Sequence, residues 1–363
     1  MDTFCENQAL ASWTTADLNA DKSWVFPLAE KESSHLREMV LAVFNPDRDL
    51  FEYELAEFDL GPAEKTLKKA IQQAHHGRGV ALVKNLPRHN MSEDQFKLLN
   101  WAIGLHIGVP RPQGKASQYI SPVRDVGVDY RAASGRGYSS NAKLDFHVDG
   151  ADVATLGCYN SAKSGGSTMF TSGVTAFQAL KAERPDLAEL AETDFYFSRQ
   201  NEEADDEGPY YGQPLIDFCN GRLFAKWNRN RVQSAQRFET VPRLSDNQRA
   251  AMDVMDDILR RPEYMLTLNL QPGDLQIFNN HCMLHSRTDY EDFAEPEKKR
   301  LLWRLWIAPP DSPELPQSWG DFYRSTVPGT VRGGIRGHNH GNKEQMFDAK
   351  HAAVLGMSIA NKS

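Results

Sequence analysis

The stretch Leu144–Gly150 reads LDFHVDG, and its His147 and Asp149 stand two residues apart. In an extended backbone that spacing sends both side chains off one face of the chain. Far downstream, Asn279–Arg287 (NNHCMLHSR) carries two more histidines, His281 and His285. Two imidazoles and one carboxylate can occupy one side of a six-coordinate metal. The open positions then accept a bidentate co-substrate and oxygen, as in non-heme Fe(II) oxygenases. The same donors can hold zinc with an open water site, the arrangement of a metal-dependent hydrolase. An H-x-D pair alone is common, and only the residues that accompany it make it specific.

Gly165-Gly166-Ser167-Thr168 follows the pair, Gly273-Asp274 precedes the strand leading to the second histidine cluster, and Lys299-Arg300 and Trp303-Arg304 come next. The ordered series Gly137-Tyr138, HVDGAD, SGGSTMFTS, PGDLQIFNN, MLHSRT and KRLLWRLWI resembles the TauD/TfdA (taurine dioxygenase-like) family of the clavaminate synthase-like superfamily, over roughly residues 80–310. The resemblance implies a double-stranded β-helix (jelly roll). It implies Fe(II) held by His147, Asp149 and His285, the L-H-x-R text selecting His285 over His281. It also implies that Thr168 and Arg300 bind the distal carboxylate of 2-oxoglutarate, and that oxygen is consumed with release of succinate and carbon dioxide. A dicarboxylate needs a fixed cation at its far end, which arginine supplies as a bidentate fork. Halogenating relatives replace the carboxylate ligand with a small residue; Asp149 keeps it, so hydroxylation or another oxidation of a small organic substrate is expected.

Arg300 and Arg304, four apart on one strand, share a face with Leu302 and Trp306, and two inward cations need anionic partners. The resemblance assigns Arg300 to 2-oxoglutarate and Arg304 to an anionic substrate group, with an internal acid as the alternative partner for Arg304.

The surrounding elements are legible in outline. Pro62 opens a helix carrying Leu67, Ala70, Ile71 and Ala74, and Gly77 stops it. Ser92 and Gln95 cap a second helix, and Ser245 and Gln248 cap a third. Gly79–Lys84, Leu266–Leu270, Leu275–Phe278 and Leu301–Ile307 read as strands, and Asn220-Gly221 turns a hairpin. With no regular β-α-β alternation, the fold class is mainly β, a jelly-roll core with flanking α-helices. No linker splits the motifs, so residues 1–60 read as an irregular accessory segment, 61–310 as one catalytic domain and 311–363 as a tail packed on the core.

A formal net charge of -8 argues against nucleic-acid binding. No apolar run is long enough to span a membrane. Met1–Leu10 does not read as a secretory signal, and the scattered Cys5, Cys158, Cys219 and Cys282 make neither a zinc knuckle nor a disulfide frame. The chain therefore reads as cytoplasmic, acting on a small molecule, with self-association left open. A non-catalytic jelly-roll binder is the third reading, disfavoured by the unbroken triad. His75-His76 reads as a helix-end pair favoured by the dipole, His338 and His340 as a solvated loop, and Glu202–Glu207 as a solvated loop or lid. Arg199, Arg229 and Arg231 read as surface pairs rather than pocket walls, and Cys282 as a buried filler.

Overall fold

The computed structural model describes residues 6–127 and 139–360, and Gly137 and Tyr138 of the motif series lie outside the described residues. Two sheets carry the centre of the molecule. The larger has β1 (Val25–Pro27), β2 (Val80–Lys84), β13 (Leu275–Asn279), β5 (Val153–Asn160), β16 (Leu301–Ala308) and β3 (Val109–Arg111) in that order, with β4 (Ile120–Val123) also paired to β16. The smaller has β12 (Met265–Leu268), β7 (Thr168–Ser172) and β14 (Met283–Arg287). Short ribbons complete the strands: β6 (Ser164–Gly165) with β15 (Tyr290–Glu291), β8 (Asp194–Ser198) with β9 (Tyr210–Pro214), and β10 (Ile216–Cys219) with β11 (Arg222–Ala225). Apart from the parallel pair β1–β2, every pairing in these sheets and ribbons is antiparallel.

Strand β16 shows how sequence sets the layers. All eight of its residues are buried, yet its two faces meet different partners, as the period of two requires. Leu301, Trp303, Leu305 and Ile307 pack with the helix Glu93–Ile107 in one core cluster, whereas Leu302 and Trp306 belong to the other. The helix comes so close that a Cβ on Gly104 would lie 2.7 Å from Leu305. Between the sheets, Phe278 of β13 meets Phe170 of β7 edge-on at 5.6 Å and stacks on His285 of β14 at 4.9 Å. The β13–β14 turn thus hands the chain from one sheet to the other.

The expected helices form over Glu64–His76, Glu93–Ile107 and Asp246–Leu259, the last two with the capping boxes of Ser92 and Ser245. The first 60 residues are more regular than expected. They hold the helix Glu30–Val43 and strand β1, whose Val25–Pro27 pairs in parallel with Leu82–Lys84. Trp13 and Trp24 are buried against Phe170. His75 and His76 do more than cap: both reach Asp311, at 3.2 and 2.6 Å, and so bind the helix end to the chain after β16. No helix among the described residues is long and apolar enough to cross a membrane.

Candidate active site

His147 makes an isolated antiparallel bridge to His285 of β14. Each backbone N–H donates to the other's carbonyl at 2.9 Å, and the rings sit side by side with centroids 4.5 Å apart. Asp149 follows, its backbone N–H donating to Asn280 Oδ1 at 3.2 Å. The ligand atoms of His147, Asp149 and His285 all lie within 4.8 Å of one another, and His285 Nε2 is 3.7 Å from Asp149 Oδ2. That carboxylate oxygen is buried with no hydrogen-bond partner among the described residues, a costly state that a bound cation relieves.

Protonation favours the same reading. His147 Nδ1 is 2.9 Å from the Asp145 carbonyl; donating there, it leaves Nε2 as the lone-pair atom. Burial holds the His147 imidazole below its ordinary value and, with His147's own charge adding to it, pushes His285 down to about 3. Both rings are therefore neutral donors. Burial alone would raise the Asp149 carboxyl, but its surroundings, the Arg304 guanidinium foremost, lower it and keep it ionised. Two neutral imidazoles and a carboxylate fit Fe(II).

His281, the rival histidine, points elsewhere. Its Nε2 is 2.9 Å from Asp152 Oδ1, and the same carboxylate takes Arg332 Nη2 at 2.5 Å. Arg304, expected on the substrate, has an internal acid as partner: Nη1 reaches Asp149 Oδ1 at 3.2 Å and Nε donates to Gln113 Oε1 at 2.8 Å. Its near charge is committed to the carboxylate of the triad.

Thr168 and Arg300 line the same cavity as His147, Asp149 and His285. Thr168 of β7 is the register partner of Arg287 on β14, and Arg287, two residues beyond His285, shares its face. Arg287 and Arg300 flank the Tyr290 ring at 4.8 and 5.0 Å. Each has a buried Nη1 without a hydrogen-bond partner, and among the described residues neither pairs with a carboxylate. Burial and the Arg300 charge push Arg287 down to about 10. Two crowded guanidinium groups beside a threonine hydroxyl fit the far end of a dicarboxylate.

The family model for the taurine catabolism dioxygenase TauD, TfdA family matches residues 46–306. The chain belongs to that family. Among curated relatives, FR-33289 synthase of Streptomyces rubellomurinus is 25% identical over 316 residues, covering 85% of this chain and 93% of the relative. A uridine-5'-phosphate dioxygenase of an Amycolatopsis species is 27% identical over 206 residues, 54% of this chain and 71% of the relative. Asparagine oxygenase in complex with Fe(II), 3-hydroxyasparagine and succinate shares the fold, with TM-score 0.61 and 16% identity over 78% of this chain and 93% of that one. The non-heme iron oxygenase OrfP in complex with Fe and alpha-ketoglutaric acid gives TM-score 0.55 at 16% identity, again over 78% and 93%. This TauD/TfdA chain is thus a non-heme iron dioxygenase dependent on 2-oxoglutarate and oxygen, and the hydrolase and binder readings fall away.

Several parts of this TauD/TfdA site escape the sequence reading. Arg287 had a usable signal, its place two residues after His285 on a strand. Arg231 and Arg199 are buried, not on the surface; only Arg229 matches that expectation, pairing with Asp253 and Asp256 at 2.5 and 2.8 Å. Lys226 and Arg231 line the cavity, and so do Phe322 and Ile335 from the segment expected to be a tail. The acidic run is half tied down: Glu202 is buried 3.4 Å from Arg231, and Glu207 is 3.1 Å from both Arg324 and Arg336. His338 is exposed, whereas His340 reaches the Tyr119 hydroxyl at 3.2 Å; neither lines the cavity. Cys282 is a buried thiol raised to about 12 by burial, which fits an inert filler.

Proposed function

We propose that His147, Asp149 and His285 hold Fe(II), and that Thr168 and Arg300, assisted by Arg287, hold the far carboxylate of 2-oxoglutarate in the same cavity. One observation carries this reading. Asp149, Arg287 and Arg300 line one cavity, and there a buried carboxylate oxygen without a partner and two buried guanidinium N–H groups without partners ask for a cation and an anion respectively. Bound there, iron with 2-oxoglutarate and oxygen supplies the oxidation, releasing succinate and carbon dioxide. The chain's own residues orient and exclude. Arg304 braces Asp149 through one oxygen and leaves the other for the metal. Leu156, Leu270, Leu302, Trp306 and Phe322 line the cavity with apolar surface that keeps water from the reacting centre. Asp149 fills the third protein position, which favours hydroxylation of a small substrate.

The two facing sheets fit the faces of a double-stranded β-helix, with residues 61–310 carrying every motif and the terminal segments packed upon them, the last one closing a wall of the cavity. The unpaired thiols of Cys158, Cys219 and Cys282 suit a reducing cytoplasm. The test is succinate release from anaerobically purified protein. Release should require Fe(II), 2-oxoglutarate and oxygen together and stop on chelation. Iron-loaded protein that makes no succinate, or turnover that survives chelation, would overturn the proposal.

A further inference from the structure

Lys226 is only 3% exposed. It follows β11, two residues before Asn228, whose backbone bridges His147. On an extended chain, residues two apart share a face, and Lys226 and Asn228 both line the cavity. The ammonium group lies 3.8 Å from the Phe322 ring centre, with Tyr323, Tyr211 and Trp319 at 5.5, 5.9 and 5.9 Å. Among the described residues it has no carboxylate within ion-pair distance and no hydrogen-bond acceptor. Arg231 lines the same wall, 7% exposed. Its Nη1 donates to the Ser198 carbonyl at 2.9 Å and its Nη2 lies 3.4 Å from Glu202 Oε2. Those contacts use two of the five N–H groups a guanidinium carries.

We infer that Lys226 and Arg231 seat an oxyanion headgroup of the substrate, a phosphonate, phosphate or sulfonate, beside the metal triad. Aromatic faces attract a cation but do not replace the hydration that an ammonium loses on burial. A lysine kept among four rings, lining a cavity and lacking an acid among the described residues, is built for a charge that arrives with the ligand. Burial, then the charges of Arg231 and Arg199, holds its pKa well below the ordinary lysine value, and an anion beside it restores the ammonium form. The cation set is distinct from Arg287 and Arg300, which flank Tyr290, and from Arg304, which braces Asp149. One cavity thus offers separate cations to two different acids, the co-substrate and the substrate. A point-charge ammonium and a planar guanidinium suit an oxyanion with three oxygens spread about one centre, the geometry of a phosphonate or sulfonate, better than a flat carboxylate.

The inference rests on the dioxygenase reading, and the experiment separates the two. Anaerobic protein loaded with Fe(II) and 2-oxoglutarate is titrated with methylphosphonate, methanesulfonate and acetate. Tryptophan fluorescence reports the added anion, and the visible charge-transfer absorption of the iron–2-oxoglutarate complex reports the loaded site. Saturable binding of methylphosphonate or methanesulfonate, tighter than acetate, is expected, and the tighter of the two names the headgroup. Lys226→Met and Arg231→Met should each weaken it by at least about 30-fold, the usual loss when one partner of a buried charge pair is removed. Lys226→Arg should recover part of the loss, and the charge-transfer absorption should persist in every variant that folds. Absence of that absorption from the unaltered protein defeats the dioxygenase reading. Its presence together with no saturable oxyanion binding, with acetate bound tightest, or with binding indifferent to Lys226→Met and Arg231→Met, defeats this inference alone.

Discussion

At the scale of single residues, the site separates into groups with different tasks, and substitution should separate them too. His147→Ala, Asp149→Ala and His285→Ala each remove a donor from a set whose atoms lie within 4.8 Å. Each should abolish succinate release and weaken Fe(II) binding, read by anaerobic metal titration. His281→Ala should leave Fe(II) binding intact and lower thermal stability instead, because His281 serves Asp152. Arg300→Gln should raise the 2-oxoglutarate requirement by at least about 30-fold, from the ~2–5 kcal/mol that loss of a buried charge partner costs, and Arg287→Gln should act in the same direction. Arg304→Gln should instead weaken Fe(II) binding, since Arg304 braces Asp149; a change confined to the 2-oxoglutarate requirement would contradict that assignment. The H-x-D pair alone is too common to single out a site; the grouping of His147, Asp149 and His285 was legible because the ordered motifs around them resemble one family. Lys226 was not, because nothing in the text KWNRNR tells a pocket lysine from a surface one.

At the scale of elements, alternation on β16 was readable because a strand's period of two is strict, and Arg304 and Leu305 face opposite ways as it requires. The capped helices were equally plain, their start signals being local. Pairing between distant segments left no such mark. Asp152, three residues after a triad member, is fully buried with Arg332 and His281. Burial alone would raise its carboxyl, but Arg332 and His281 hold it far below the usual range. A depressed carboxyl contributes stability that is fully present above its unfolded value of about 3.9 and is lost as pH falls toward the folded value. Asp152→Asn leaves the Arg332 guanidinium buried without its acid and should cost about 3–5 kcal/mol in denaturant unfolding near neutral pH. The deficit relative to the unaltered chain should shrink as the medium is acidified through that window. A deficit constant with pH would show that the pair's charge is not what holds this turn.

At the scale of the whole molecule, the segment after β16 is bound into the core, and motif reading stopped short of it because it carries no chemistry of its own. Its text, rich in Gly and Pro, reads as loop, yet Arg332 is fully buried against Asp152, at 2.5 Å. Asp348 pairs with the buried Arg111 of β3 at 2.7 Å. Phe322 and Ile335 close one wall of the cavity, and Phe322 is the ring nearest Lys226. A chain ending at residue 310 would keep every motif of the series while leaving Asp152 and Arg111 without their buried partners and opening the cavity to water. Each orphaned buried charge costs about 3–5 kcal/mol, and together they compare with the ~5–15 kcal/mol that stabilises a typical folded domain. The truncated chain should therefore lose its cooperative thermal transition and the charge-transfer absorption of the Fe(II)·2-oxoglutarate complex. Limited proteolysis of the full chain should correspondingly leave a core that retains Arg332 and Asp348, identified by mass. Recovery of a stable, iron-binding fragment that ends near residue 310 would show that the last segment only decorates the fold.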